Sequence, residues 1–248
     1  MATYTVGESQ RKAARVVGAV YLFDFVAVFD QFYVRGRLIV DNNAAETARN
    51  IIAHERLFRL GIAVDLVEMA ALVVLATALY VTLKTVNQNL ALLGVFWRLM
   101  EAVICVVMTL SSFDVLRVLS GAESLRVFEA DRLHAIATIY VGAHGDGYNV
   151  AEMFLGLGST VFAYLWFKSR FIPRALAAWG VFSSLLLATC TVAFIIFPRF
   201  DDLADPACYI PIAIFELTMG FWLLIRGLRP SGMAEADKEW DRAQAGTA

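Results

Sequence analysis

The sequence predicts an all-α integral membrane protein, a bundle of about six transmembrane helices. Of its 248 residues, 59% are hydrophobic and only 18% are charged. The mean hydropathy of +0.64 lies well above that of a soluble globular domain. The apolar residues form runs of about 20 residues, the length that crosses a hydrocarbon core of about 30 Å. These runs are longer than barrel strands and do not alternate, so a sheet is excluded.

Six apolar runs predict a bundle over residues 1–228, followed by a polar cytoplasmic tail over residues 229–248. In a six-span topology, basic residues flank the ends of the spans that lie on the same side of the membrane as both termini. We therefore expect cytoplasmic termini and a location in the cytoplasmic (inner) membrane. The predicted spans are Ala13–Val34, Leu57–Leu83, Leu90–Leu116, Val150–Phe167, Ala175–Phe197 and Tyr209–Leu228.

Two segments outside these spans also have helical character. After the first span, Asp41 or Asn42 can cap an amphipathic helix that runs to about His54 and lies on the membrane surface. Residues 133–168 would form about 54 Å of helix, too long for one straight crossing. Glycines 142, 145 and 147 lie within this stretch, so we expect a glycine-broken fourth span.

Several classes of partner and cofactor are not expected. The net charge of −2 provides no basic surface for nucleic acid. Cys105, Cys190 and Cys208 are far apart and form no CxxC motif, so we interpret them as small core residues without a disulfide framework. The three histidines lack the spacing of a helical metal clamp, and we therefore expect no metal and no cofactor.

Eight carboxylates lie inside the apolar runs, where they outnumber the three arginines, Arg59, Arg98 and Arg117, by five. Ionisable side chains in hydrocarbon are costly, so they usually face a protein interior or a wet cavity and mark function. We predict that at least one of the glutamates in the second, third and last spans holds a proton near neutral pH. The eight carboxylates are Asp24, Asp30, Asp65, Glu68, Glu101, Asp114, Glu152 and Glu216.

Helical spacing predicts that many of these side chains face one chamber. Residues three or four apart share a helix face. A structural alternative stays open, in which Arg98 neutralises Glu101 and Arg59 neutralises Asp65. The pairs expected to turn inward are Asp65 with Glu68, Arg98 with Glu101, and Tyr148 with Glu152, with His144 one turn before Tyr148.

Two sets of candidate site residues follow from this arrangement. Carboxylates near the midplane or facing the chamber are predicted to be catalytic, and neighbouring polar and aromatic side chains to bind substrate. The predicted catalytic residues are Asp24, Asp65, Glu68, Glu101 and Glu216. The predicted substrate-binding residues are Arg59, Trp97, Arg98, His144, Tyr148 and Glu152.

A series of short motifs runs through the spans and loops. They are Phe58-Arg59-Leu60-Gly61 followed by Asp65-Leu66, Lys84-Thr85-Val86-Asn87 leading to Phe96-Trp97-Arg98, His144 with Gly147-Tyr148, Ser169-Arg170-Phe171-Ile172-Pro173-Arg174, and Glu216. Together, over roughly residues 11 to 228, they resemble the DUF4386 family of bacterial multi-span membrane proteins. The resemblance implies a membrane bundle and assigns no activity. Where the family usually has His-Asp-Tyr-Gly-Tyr-Asp, this chain ends the motif with Asn149, so no acid is available there.

Three classes of function are compatible with these features. The first is an intramembrane enzyme acting by carboxylate acid/base chemistry on an isoprenoid or lipid-like substrate, as in terpene-cyclase-like cyclisation or isomerisation. Glu101 or Glu68 would be its acid, and Asp24 or Glu216 its base. The second is a proton-coupled transporter or permease, which would need to form a homodimer because no repeat is visible. The third is a non-catalytic membrane component. The expected partners are the lipid bilayer and a lipophilic small molecule.

Overall fold

The computed structural model describes residues 6–25, 30–121 and 127–229, without the side chains of residues 30–32 and 198–206. Every regular element in these ranges is helical, which confirms the predicted all-α class. The elements are α1 (Glu8–Phe23), a π-helical segment (Asp30–Arg35) that continues into the single turn α2 (Gly36–Leu38), α3 (Ala44–Ala53), α4 (Glu55–Leu83), α5 (Gln88–Leu119), α6 (Ala130–Ser169), α7 (Arg174–Ile196) and α8 (Pro198–Ile225).

Five described helices are long and apolar enough to cross a membrane, namely α4, α5, α6, α7 and the part of α8 from Ala207 to Ile225. They correspond to the predicted second to sixth spans, and the chain is an integral membrane protein. The predicted first span begins in the 16-residue α1 and continues into residues 26–29, which lie outside the described ranges. Its crossing of the membrane stays a prediction. The predicted polar tail from residue 230 onward also lies outside these ranges.

Short polar turns end one long helix and start the next. The side-chain oxygen of Asn87 accepts a hydrogen bond from the Leu90 backbone N–H at 3.0 Å and so caps the start of α5. After α6, Arg170 adopts a positive φ of 59°, a left-handed conformation that ends a helix. Pro173 then precedes α7 as its N-cap residue. Local chemistry therefore places the turns where the hydropathy falls.

Helix α3 forms where the sequence predicts an amphipathic helix. Its N-cap is Asn43, whose side chain accepts from the Glu46 N–H at 3.0 Å, rather than the predicted Asp41 or Asn42. The buried face includes Ile51, which belongs to the same hydrophobic cluster as Leu38 of α2. The location of α3 on the membrane surface stays a prediction.

Helix α6 continues without a break through all 40 residues from Ala130 to Ser169. The prediction of a glycine break is therefore wrong. A glycine costs a helix only about 1 kcal/mol relative to alanine, which neighbouring turns can offset. At Gly147 an added Cβ would lie 2.9 Å from Cβ of Met108, so close packing against α5 accounts for this glycine. Around Gly142 and Gly145, no described atom lies within 4 Å of such a Cβ.

The chain divides into two compact units. The first unit contains the described residues of Met1–Leu22, Val73–Leu99 and Met153–Ala248, and the second unit those of Phe23–Leu72 and Met100–Glu152. The second unit has a hydrophobic core shared by the π-helical segment and helices α2 to α6. Its buried members are Val34, Leu38, Ile51, Phe58, Ile62, Val115, Leu116 and Ala137.

Close helix crossings hold the first unit together. A Cβ added at Gly18 of α1 would lie 2.9 Å from the carbonyl oxygen of Gly220 in α8. A Cβ added at Gly180 of α7 would overlap the ring of Phe215, which is fully buried. Small residues at such positions allow neighbouring helix backbones to approach closely, which is how helices associate in membranes.

A disulfide joins Cys190 of α7 to Cys208 of α8, with their Cα atoms 6.2 Å apart. The prediction that these two are core cysteines outside any disulfide is wrong, because only the tertiary fold brings such distant residues together. Both are buried and pack with Phe194 in one hydrophobic cluster. Cys105 is a buried free cysteine, as predicted.

Candidate functional site

Four carboxylates lie within electrostatic range of Cys105 in the second unit. They are Glu101, Glu152, Glu68 and Asp65. These four acids come from α4, α5 and α6, so three helices bring their predicted site residues into one region. Glu101 and Glu152 are each only 6% exposed. We call these four residues the carboxylate cluster.

Apolar packing positions the carboxylate cluster. Cys105 and Met108 of α5 pack against Ala151 of α6, and Met69 of α4 covers the same group. Each carboxylate is next to one of these apolar residues in sequence or one helical turn away from it. The apolar contacts therefore fix the helix rotation that brings the acids together.

Arg35 forms an ion pair with Asp65 of the carboxylate cluster. Its Nη2 atom donates a hydrogen bond to Oδ2 of Asp65 at 2.7 Å, and the two side chains are 12% and 16% exposed. Arg35 is the last residue of the π-helical segment, a type of irregularity that is frequent at functional sites. The segment thus aims a cation at the acids from a separate part of the chain.

His144 extends the polar region along α6. Its Nδ1 atom lies 3.4 Å from Oγ of Ser112, and both residues are buried. The ring also lies close to the backbone of Met108 and within electrostatic range of Arg35. Arg35 is therefore near both Asp65 and His144, which connects the carboxylate cluster to the buried histidine.

An apolar groove of about 200 Å³ lies beside the carboxylate cluster in the second unit. Glu68 is the one ionisable side chain among its described lining residues. Leu60 and Val67 in its wall are more than half exposed, so the groove is open along the face of α4. Its lining residues are Phe23, Leu60, Ala63, Val64, Val67 and Glu68.

Three predicted residues lie around this region with different exposure. Asp24 is half-buried in the turn after α1, directly beside Phe23 of the groove in sequence. Tyr148 is exposed, although Glu152 one turn further along α6 is buried. Arg59 is exposed and pairs with Glu55 at 2.7 Å, so the alternative in which Arg59 neutralises Asp65 is wrong.

The remaining predicted residues belong to the first unit. Trp97 stacks against Phe154 with ring centroids 5.7 Å apart. Arg98 is 3% exposed, and its side chain lies where a Cβ at Gly158 would contact it at 3.1 Å. Glu216 is half-buried in α8. That these residues share a chamber with the carboxylate cluster stays a prediction.

Arg35 and Ser112 were not among the residues predicted for the site. Arg35 lies just past the predicted first span, where charged residues ordinarily reach water. Its position in the sequence therefore indicated a loop cation. Ser112 lies in an apolar run and carries no charge. The one available signal is that it follows Met108 and Cys105 at helical spacing on the buried face of α5.

No group of three or more His, Cys, Asp or Glu side chains in the described part of the chain is arranged to hold a metal ion. The arrangement provides a set of titratable side chains, two of them buried, beside an apolar surface. Together, the fold and this region define an all-α integral membrane protein with a polar cluster inside apolar helices.

The chain belongs to the DUF4386 family, a domain of unknown function, whose model matches residues 16–227. This match confirms the resemblance drawn from the motifs. No match was found among the curated proteins or among the solved structures.

Proposed function

We propose that the protein is an intramembrane enzyme that acts on a lipophilic, isoprenoid or lipid-like substrate by carboxylate acid/base chemistry. The apolar groove that contains Glu68 is the observation that carries this proposal. A groove open to the lipid side suits a hydrocarbon chain arriving from the bilayer. The carboxylate then lies where a reacting carbon of that chain would be held.

The proposed reaction is an isomerisation or cyclisation that begins with proton transfer. Glu68, in its carboxylic acid form, donates a proton to one carbon of an alkene, and a carbocation forms at the other carbon. The ring of Phe23 stabilises this cation, since aromatic faces attract positive charge. A carboxylate then removes a proton from a neighbouring carbon and restores an alkene. Asp24 is our choice for this base because it directly follows Phe23.

The carboxylate cluster supports this role for Glu68. Carboxylates held close together titrate as a group and can share a proton. Glu101 is the second candidate for the acid, because it is buried and lies one helical turn before Cys105 on α5. Asp65, held by Arg35, is proposed to keep its charge and to fix the electrostatic environment of Glu68 three residues away.

We also propose that the chain lies in the cytoplasmic membrane with both termini on the cytoplasmic side. Lys84, Lys168, Arg174 and Arg226 lie at the ends of described helices that this topology places inside. Basic residues favour the cytoplasmic side of a membrane.

A proton-coupled transporter or permease is the alternative. Its support is the set of carboxylates within membrane-spanning helices, which is typical of proton-coupling sites. A coupling site often uses a broken helix, but α6, where the sequence predicted the break, is continuous through its glycines. The apolar groove provides no polar path for a water-soluble cargo. The enzyme is therefore preferred.

Comparative lipid analysis of a bacterial host tests the proposed enzyme. The full chain, Glu68→Gln and Asp114→Asn would be expressed at equal levels, and total lipids compared by mass spectrometry. Asp114 is the matched control, because it is a carboxylate within an apolar helix that pairs with the exposed Arg117.

We expect a new or depleted isoprenoid or lipid species with the unaltered chain and with Asp114→Asn. Glu68→Gln should reduce the change at least tenfold. An unchanged lipid profile with all three proteins would count against the enzyme. Uptake of a cargo into proteoliposomes, driven by a proton gradient, would support the transporter instead.

A further inference from the structure

We propose that the Cys190–Cys208 disulfide is an oxidative cross-link made outside the cytoplasm by a thiol-oxidising disulfide donor. It marks the outer end of the first unit. This inference does not depend on the proposed enzymatic activity. Disulfides persist in oxidising compartments and are rare in the cytosol.

Contacts at the opposite end of the first unit define a basic end. Gln10, near the start of α1, donates hydrogen bonds to the Thr82 carbonyl and to Oγ1 of Thr85, both at 3.0 Å. The N–H of Arg229 donates to the carbonyl of Phe171 at 2.8 Å. The start of α1 therefore meets the α4–α5 turn, and the end of α8 meets the α6–α7 turn.

The packing of α1 against α8 shows that these two sets of contacts lie at the same end. Gly18 approaches Leu223 and Leu224, whereas Leu22 approaches Gly220. As the chain advances along α1, its contacts move backward along α8, so the two helices are antiparallel. The start of α1 and the end of α8 thus lie together.

Charge distinguishes this end of the unit from the end that carries the disulfide. Basic side chains are concentrated at the end that contains the start of α1 and the end of α8, and Glu8 is the one acidic residue of α1. Cys190 lies near the end of α7, and Cys208 lies at the start of the apolar part of α8, so α7 separates the bridge from the basic residues. Positive charge inside and a disulfide outside are independent indications of the same orientation. The basic residues are Arg11, Lys12, Arg15, Lys84, Lys168, Arg170, Arg174, Arg226 and Arg229.

The cross-linking reaction needs an external oxidant. The thiolate of one cysteine attacks the disulfide of the donor, and a mixed disulfide forms. The second thiolate then attacks the sulfur of the first cysteine, which releases the donor as a dithiol. One S–S bond forms, and the two cysteine thiols lose two protons and two electrons to the donor.

Burial indicates when this reaction takes place. Cys190 and Cys208 are 7% and 3% exposed in the folded chain and pack with Phe194. A protein donor cannot reach such sulfurs once the cluster has packed. Oxidation therefore precedes or accompanies the packing of α7 against α8. The same burial should protect the completed bridge from reductants.

Thiol trapping in the full chain tests the proposal without any substitution. Growing cells are quenched with acid, and free thiols are blocked with N-ethylmaleimide in detergent. The protein is then reduced and labelled with maleimide-polyethylene glycol. We expect two additions in a normal bacterial host and none in a host lacking its extracytoplasmic thiol oxidase. Cys105→Ser should keep both additions, and Cys190→Ser/Cys208→Ser should lose both.

A C-terminal alkaline phosphatase fusion, active only outside the cytoplasm, tests the orientation. We expect it to be inactive in the full chain. Zero additions in the normal host would overturn the cross-link, and two additions in both hosts would overturn the role of the donor. An active phosphatase would overturn the orientation. Rapid reduction of the bridge in native membranes would overturn the proposed order of oxidation and packing.

Discussion

Arg35 and Asp65 are thirty residues apart in the chain, yet Nη2 of Arg35 lies 2.7 Å from Oδ2 of Asp65. The pair joins the π-helical segment to α4 inside the second unit. It also supplies a cation to the carboxylate cluster from outside the predicted spans. The arrangement shows that a charge count restricted to apolar runs underestimates the cations available to intramembrane acids.

Arg35→Gln should lower the free energy of unfolding by roughly 2 kcal/mol, because Asp65 keeps a largely buried charge without its cation. Denaturant titration of the purified protein in mild detergent measures this change. Arg117→Gln is the matched control, since Arg117 is 78% exposed in its pair with Asp114. It should change stability by less than about 0.5 kcal/mol. Equal effects of the two substitutions would contradict the buried pair.

Gly180→Ala should destabilise the first unit by about 1 to 3 kcal/mol. The new methyl group would overlap the ring of Phe215, which is fully buried. Thermal unfolding in detergent provides the measurement. Phe215→Leu in the same chain should recover part of the loss by removing the overlap. A neutral Gly180→Ala variant would show that α7 and α8 pack less closely than described.

Gly142→Ala should raise the free energy of unfolding by about 0.5 to 1 kcal/mol. Alanine favours the helix, and no described atom approaches the added Cβ within 4 Å. Gly147→Ala is the matched control at the same helix, and it should destabilise because Met108 occupies the space. If α6 were broken at Gly142, alanine there would instead reduce stability.

Val67→Phe should reduce turnover of the lipophilic substrate at least tenfold, because the larger side chain would fill part of the groove beside Glu68. Val67 is exposed, so the thermal unfolding temperature of the variant should stay within about 2 °C of that of the unaltered chain. Val74→Phe is the matched control, because Val74 lies two helical turns away, is similarly exposed and is absent from the groove lining. Substrate turnover unaffected by Val67→Phe would exclude the groove as the binding site.

Hydropathy and local motifs were sufficient to predict the all-α membrane class, the second to sixth spans and family membership. The length of each apolar run can be read from the sequence alone, and the thickness of the bilayer fixes the length that a span needs. Whether α6 breaks at Gly142 could not be predicted in the same way. A glycine weakens a helix without breaking it, and the turns on either side decide the outcome.

The candidate site was predictable to the extent that helical spacing determines it. Spacing placed Asp65 with Glu68 on one face, and both lie within electrostatic range of Cys105 in the second unit. The contact of Arg35 with Asp65 depends on tertiary structure, because the chain between them must turn back to bring the two side chains together. The Cys190–Cys208 bridge has the same origin, for no local pattern relates those two positions.

The uninterrupted length of α6 affects where water can approach the site. Forty residues make a rod of about 60 Å, whereas a helix tilted by as much as 40° travels only about 39 Å inside the hydrocarbon. About 20 Å must therefore stand among lipid headgroups or in solvent. Polar side chains on the turns of α6 that stand there can reach water, so this helix extends beyond the lipid at one end or at both.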